Sequence, residues 1–141
     1  MTFRTEQFIT RQMVRSDPKA LFVFGDNMKG TGYGGQAASM RGERNTVGIP
    51  TKWAPYMTPN SFFSDDDFDV VAPVIQKRFQ LLIDYMAAGG DVVWPADGVG
   101  TGRAELIQRA PRIWTLIETL HAFLQNAPCR AIPHPIELPS L

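Results

Sequence analysis

Lys52, between Thr51 and Trp53 at the end of an apolar stretch, is a candidate for nucleophilic chemistry. A lysine attacks only as the neutral amine, so it needs a pKa lowered by desolvation or by a neighbouring cation. Trp53 offers an apolar wall for that purpose; the competing reading is a solvated lysine at a strand end. Asp97 lies at the mouth of a second apolar stretch and has two readings of its own. It is either a general acid or base, or a turn aspartate bonded to its own backbone. The same pair of readings applies to Asp26, and Glu105 is either a further acid or a favourable charge at a helix start.

Two glycine-rich segments stand next to these residues. The first runs Lys29-Gly30-Thr31-Gly32-Tyr33-Gly34-Gly35 and the second Ala96-Asp97-Gly98-Val99-Gly100-Thr101-Gly102. Each follows an apolar run and precedes a helical pattern. Glycine lets backbone N–H groups approach an anion closely, and a helix N-terminus adds partial positive charge. Two such loops on neighbouring strands would clamp a diphosphate. Gly30, Gly32 and Gly35 form G-x-G-x-x-G, but no acidic residue on a second strand is placed for a dinucleotide ribose. A Gly-Lys-Ser/Thr phosphate loop is lacking as well. Tyr33 is a stacking or lid residue, or an ordinary surface tyrosine. Trp53 and Tyr56 stack on a ribose or base, or pack in the core.

These segments need strands and helices to hold them. Phe3 to Thr10 reads as an edge strand, and a short helix over Arg11 to Arg15 ends at Asp17-Pro18. Ala20 to Phe24 is a continuous apolar run, the pattern of a strand covered on both faces. A helix begins at Gln36, and Thr46 to Pro50 is the next strand. Ser64 with Asp67 resembles a capping box, and Asp65-Asp66-Asp67 suits a helix start better than a metal site. Phe68, Val71, Ile75, Phe79, Leu82 and Met86 form one apolar stripe. Pro73 predicts a kink there, or a short helix before a longer one. After Gly89-Gly90, Asp91 to Pro95 is a strand. A last helix carries Leu106, Ala110, Ile113, Ile117, Leu120 and Leu124, with Pro111 near its start. The order predicts a single α/β domain over 1–141, a sandwich with a largely parallel or mixed sheet and ligands at the C-terminal strand ends. The tail from about residue 128 is proline-rich and reads as irregular.

Composition narrows the classes. Of 141 residues, 44% are apolar and 20% charged, and fourteen basic residues balance fourteen acidic ones. That balance leaves no footprint for non-specific binding to nucleic acid or an anionic membrane. Cys129 is the single cysteine, and His121 and His134 have no metal-binding spacing, so neither a disulfide nor a metal site is expected, and no cofactor. The N-terminus lacks a signal-peptide layout and no apolar run approaches a membrane span, which points to the cytoplasm of the producing cell or of a host.

The segments Leu21-Phe-Val-Phe-Gly-Asp-Asn27 and Gly34-Gly-Gln-Ala-Ala38 resemble the strand, asparagine, glycine loop and helix of macro domains. Val92 to Gly102 resembles the second macro loop. Ile49-Pro-Thr-Lys-Trp53, followed by a polar loop and long helix, is similar to the branch of terminal ADP-ribose protein glycohydrolase and the antitoxins of DNA ADP-ribosylation systems. The resemblance implies a macro-like three-layer sandwich with a central mixed sheet flanked by helices, and a cleft for ADP-ribose or an ADP-ribosylated macromolecule. Gly34 and Gly35 would then meet the distal ribose and phosphate. Gly98, Val99, Gly100 and Thr101 would wrap the diphosphate, and Asn27 would lie near the distal ribose. Lys52 would attack the anomeric carbon; the acid that serves it is read from the residues themselves as Asp97, with Asp26 and Glu105 as the alternatives. Asp26, Tyr33, Gln36, Thr51, Trp53 and Gly102 complete the expected contacts. Two positions depart from the branch: Gly102 stands where it has its acid, and Thr5-Glu6-Gln7-Phe8 has no equivalent of the Gly-Asp that holds adenine. A non-catalytic reader of ADP-ribose-type nucleotides, and a scaffold with vestigial loops, are the rival functions.

Overall fold

The computed structural model describes residues 2–126. The expected tail, with Cys129 and His134, lies outside the described residues. Four strands, β1 (Phe3–Glu6), β2 (Ala20–Asn27), β3 (Thr46–Lys52) and β4 (Asp91–Pro95), form one sheet in the order β1-β4-β2-β3. Every pairing in it is parallel, which meets the largely parallel alternative read from the strand order and departs from the mixed sheet that the resemblance implies. The reason lies in the connections. Helix α1 (Arg11–Ser16) separates β1 from β2, α2 (Ala37–Met40) separates β2 from β3, and α3 (Phe68–Ala87) separates β3 from β4. Each crossover returns the chain to the same end of the sheet, which a hairpin does not do. An isolated bridge between Lys52 and Phe62 is the antiparallel contact the described residues contain.

Strand alternation builds two cores. Ala20, Phe22 and Phe24 of β2 and Val93 of β4 face Val14 of α1 and Ala37 and Met40 of α2. Val23, Val92 and Trp94 face the other way, and join Val47 and Ile49 of β3 against α3 and α5 (Pro111–Gln125). The period of two thus gives helices on both faces of the sheet. On α3 the buried stripe is Val71, Ile75, Phe79, Leu82 and Met86, joined by Ala72 and Ile83. Pro73 sits inside this helix without dividing it; it lies on the exposed side, where water can serve the carbonyl its missing N–H would have met.

The acidic run acts structurally. The Ser64 amide donates to Asp67 Oδ2 at 2.8 Å, and the Arg112 amide in the first turn of α5 donates to Asp65 Oδ1 at 3.0 Å. The carboxylates therefore satisfy free N–H groups at helix starts. Strand β1 is shorter than expected and ends at Glu6, after which Phe8 adopts a φ of +52°. The last helical segment divides at Ala110 into α4 (Leu106–Arg109) and α5, with Pro111 in the first turn of α5. No helix among the described residues is long and apolar enough to cross a membrane.

Candidate functional site

Strands β2 and β4 are neighbours, but they pair only over Ala20–Phe22 with Asp91–Val93. Beyond that point they splay, because β2 leads into α2 on one face while β4 leads towards α4 and α5 on the other. A parallel sheet opens a crevice at such a switch point, at the C-terminal strand ends. Here the opening is a cavity of about 300 Å³, at the lower end of the range for small-molecule sites.

The Gln36 side chain bridges the split. Its Oε1 accepts from the Gly25 amide at 2.7 Å, and its Nε2 donates to the Gly98 carbonyl at 2.8 Å. One amide group thus ties β2 to the second glycine loop and restores hydrogen bonds that a continuing strand pair would have supplied. Arg41 organises the first loop. Its guanidinium pairs with Asp26 at 2.5 Å and donates to the carbonyls of Gly32 at 2.5 Å and Thr31 at 3.2 Å. Asn27 Nδ2 also donates to the Thr31 carbonyl at 2.8 Å, while Asn27 Oδ1 is buried with no hydrogen-bond partner. Gly48 makes room for this arrangement, since a Cβ there would lie 2.5 Å from Asp26 Oδ2.

Loop carbonyls held in this way leave the loop amides unused. Among the described residues, the N–H groups of Gly34, Gly35, Gln36, Val99, Gly100, Thr101 and Gly102 have no acceptor; the Gly98 amide is taken by Pro95 O at 2.9 Å. Both loops that border the cavity therefore carry N–H groups without acceptors, an arrangement that suits an anion.

Lys52 lines the same cavity and is 7% exposed. Its Nζ donates to the Tyr56 carbonyl at 2.5 Å, lies 3.5 Å from Met57 Sδ, and sits 4.5 Å from the centre of the Phe62 ring. Among the described residues no carboxylate pairs with it. Burial pushes its pKa below the ordinary lysine value; Glu105 opposes this, and Arg103 and Arg109 add to it. A larger neutral fraction at a given pH follows.

Of the residues singled out from the sequence, Asp26, Asn27, Gly34, Gly35 and Gln36 line the cavity from the first loop. Thr51 and Lys52 line it from β3, and Asp97, Gly98, Gly100, Thr101 and Gly102 from the second loop. Tyr33, Trp53 and the Val99 side chain do not line it. Tyr33 is 66% exposed and points to solvent. Trp53 donates through Nε1 to Asp67 at 3.2 Å and packs edge-on against Phe63 at 5.1 Å. The Val99 side chain is fully buried in the core beside α3 and α5. Glu105, also outside the lining, has a φ of +51° and pairs with Arg109 at 3.2 Å. Sequence reasoning missed Arg41 and Arg103, two cations of the lining. Arg103 follows the second glycine run directly, a signal within reach of inspection; Arg41 carried none.

A parallel α/β domain with an amide-lined crevice at its switch point is the class these features define. The chain belongs to a family of unknown function, DUF7831, which it matches over residues 4–120. No curated protein and no solved structure matches it.

Proposed function

We propose that the crevice binds ADP-ribose or a related nucleotide diphosphate sugar, and that Lys52 cleaves an ADP-ribosyl linkage there. The observation that carries this reading is the convergence of unpartnered amides from two glycine loops on the cavity that also holds a desolvated lysine. The amides suit the phosphates, whose charge is spread over oxygens that accept several N–H bonds. Neutral Lys52 Nζ then attacks the anomeric carbon of the distal ribose as the bond to the modified group breaks. The leaving atom takes its proton from an acid at the cavity. Asp97 is the candidate for that acid, because Asp26, the other lining carboxylate, is bound by Arg41. Water hydrolyses the resulting carbon–nitrogen bond and frees the lysine. The likeness to macro domains supports this assignment, and a macro-like fold and a cytoplasmic place of work belong to the same proposal.

The second reading is a non-catalytic reader, favoured by glycine at position 102 and by the bond that holds Lys52 Nζ to Tyr56. Incubation with ADP-ribosylated protein or nucleic acid separates the two. Hydrolysis predicts release of free ADP-ribose that Lys52→Ala abolishes without abolishing binding. Calorimetric binding without release from any such substrate leaves the reader. Absence of ADP-ribose binding overturns both.

A further inference from the structure

The second glycine loop ends on Arg103, which lines the cavity and is exposed. Its guanidinium reaches across to the first loop and lies against Gly34, so closely that a Cβ there would sit 2.8 Å from Nη1. Arg103 and the Gln36 bridge thus span the crevice from opposite loops. Their chemical states differ. Gln36 has spent its donor and acceptor on backbone groups, and Arg41 has spent its guanidinium on Asp26 and two carbonyls. Arg103, among the described residues, has neither a hydrogen bond nor an ion pair. A planar fork of five donors is therefore held over a set of free amides with no acceptor of its own.

The charge of the lining points the same way. Three cations, Arg41, Lys52 and Arg103, face two carboxylates, Asp26 and Asp97. The Asp26–Arg41 pair cancels internally, and Lys52 is engaged with Tyr56. Arg103 is the remaining cation positioned to meet a ligand's charge.

We propose that Arg103 is a phosphate clamp. It closes over the diphosphate from the side opposite the loop amides, and it selects ligands with adjacent phosphoryl groups over uncharged nucleosides. The proposal rests on the nucleotide reading above for the identity of the ligand, though not for the anion site itself. The guanidinium tip occupies the space beside Gly34, where a Cβ would require it to shift.

Calorimetry on the wild-type protein, Arg103→Gln, Arg103→Lys and Gly34→Ala, with ADP-ribose, inorganic pyrophosphate and adenosine, tests it. Charge-assisted, bidentate bonds to phosphate are strong, so Arg103→Gln should weaken ADP-ribose and pyrophosphate about 10- to 100-fold. Lysine should restore part of that loss, and Gly34→Ala, which asks only for a shift of the guanidinium tip, should cost less than Arg103→Gln. Melting temperatures of the Arg103 variants should match the wild type, since the side chain has no partner to lose. Wild-type affinity for both anions in Arg103→Gln overturns the clamp and leaves the nucleotide reading standing. Arg103-dependent pyrophosphate binding without ADP-ribose binding supports the clamp and overturns that reading. No binding of either anion by the wild type overturns both.

Discussion

Replacing Gln36 by alanine removes two hydrogen bonds, of 2.7 and 2.8 Å, that join β2 to the second glycine loop. Each is worth about 0.5–1.5 kcal/mol net when water can take over the abandoned groups, and about 1–3 kcal/mol per group when it cannot. Gly25 and Gly98 border the cavity, which water can enter, so the lower figures apply and the loss is about 2 kcal/mol. Unfolding entropy near the midpoint is roughly 2.1 cal/mol/K per residue, which gives about 0.3 kcal/mol/K for 141 residues. The expected fall in Tm is therefore about 7 °C. Gln36→Glu is the sharper control. It keeps an acceptor for the Gly25 amide but sets a carboxylate oxygen against the Gly98 carbonyl, so it should destabilise at least as much. Urea unfolding should show a lower midpoint with an unchanged slope, because the surface exposed on unfolding stays the same. The released loop should also bind ADP-ribose more weakly. A melting temperature within about 2 °C of wild type for both variants would refute the bridge as a structural tie.

Lys52→Met should raise stability at neutral pH, since the folded state keeps an ammonium group that burial disfavours. The folded-state pKa lies below the unfolded value of 10.5, so between the two the unfolded chain binds more protons and wild-type stability rises with pH. The advantage of the methionine variant should therefore shrink as pH climbs towards 10.5; an advantage constant in urea melts from pH 7 to 10.5 contradicts the desolvation argument. A Cβ at Gly102 meets nothing within 4 Å and the backbone there has no positive φ, so Gly102→Asp should fold normally. If Lys52 is the nucleophile, this added acid should speed release of ADP-ribose about 10-fold or more; equal or slower release argues against an acid-limited step.

The strands and long helices were legible because their signals are local. The apolar runs Ala20–Phe24 and Asp91–Pro95 and the stripe from Phe68 to Met86 depend on neighbours in sequence alone. The meeting of the two glycine loops was legible for a related reason, since a parallel sheet brings successive strand ends to one side. Cross-loop geometry was not. Arg41 is fifteen residues from Asp26, and Arg103 lies 69 residues from Gly34, distances over which spacing carries no information about contact. Trp53 shows the opposite failure. Its place beside Lys52 suggested a wall of the site, but alternation along an extended segment turns neighbours to opposite sides, and the indole packs on Phe63. Pro73 lies inside the continuous α3 on its wet side, where the carbonyl left without an N–H can meet water.

Strand β3 forms one border of the sheet, and it is a poor template for a foreign strand. Pro50 takes a donor out of its length, and the Phe62 segment folds back onto Lys52 and Trp53 at its end. Polymerisation by edge-to-edge addition is blocked on that flank, beside the half of the border that carries Lys52. The strand that presents the Lys52 amine is thereby kept from recruiting another chain across its own doorway.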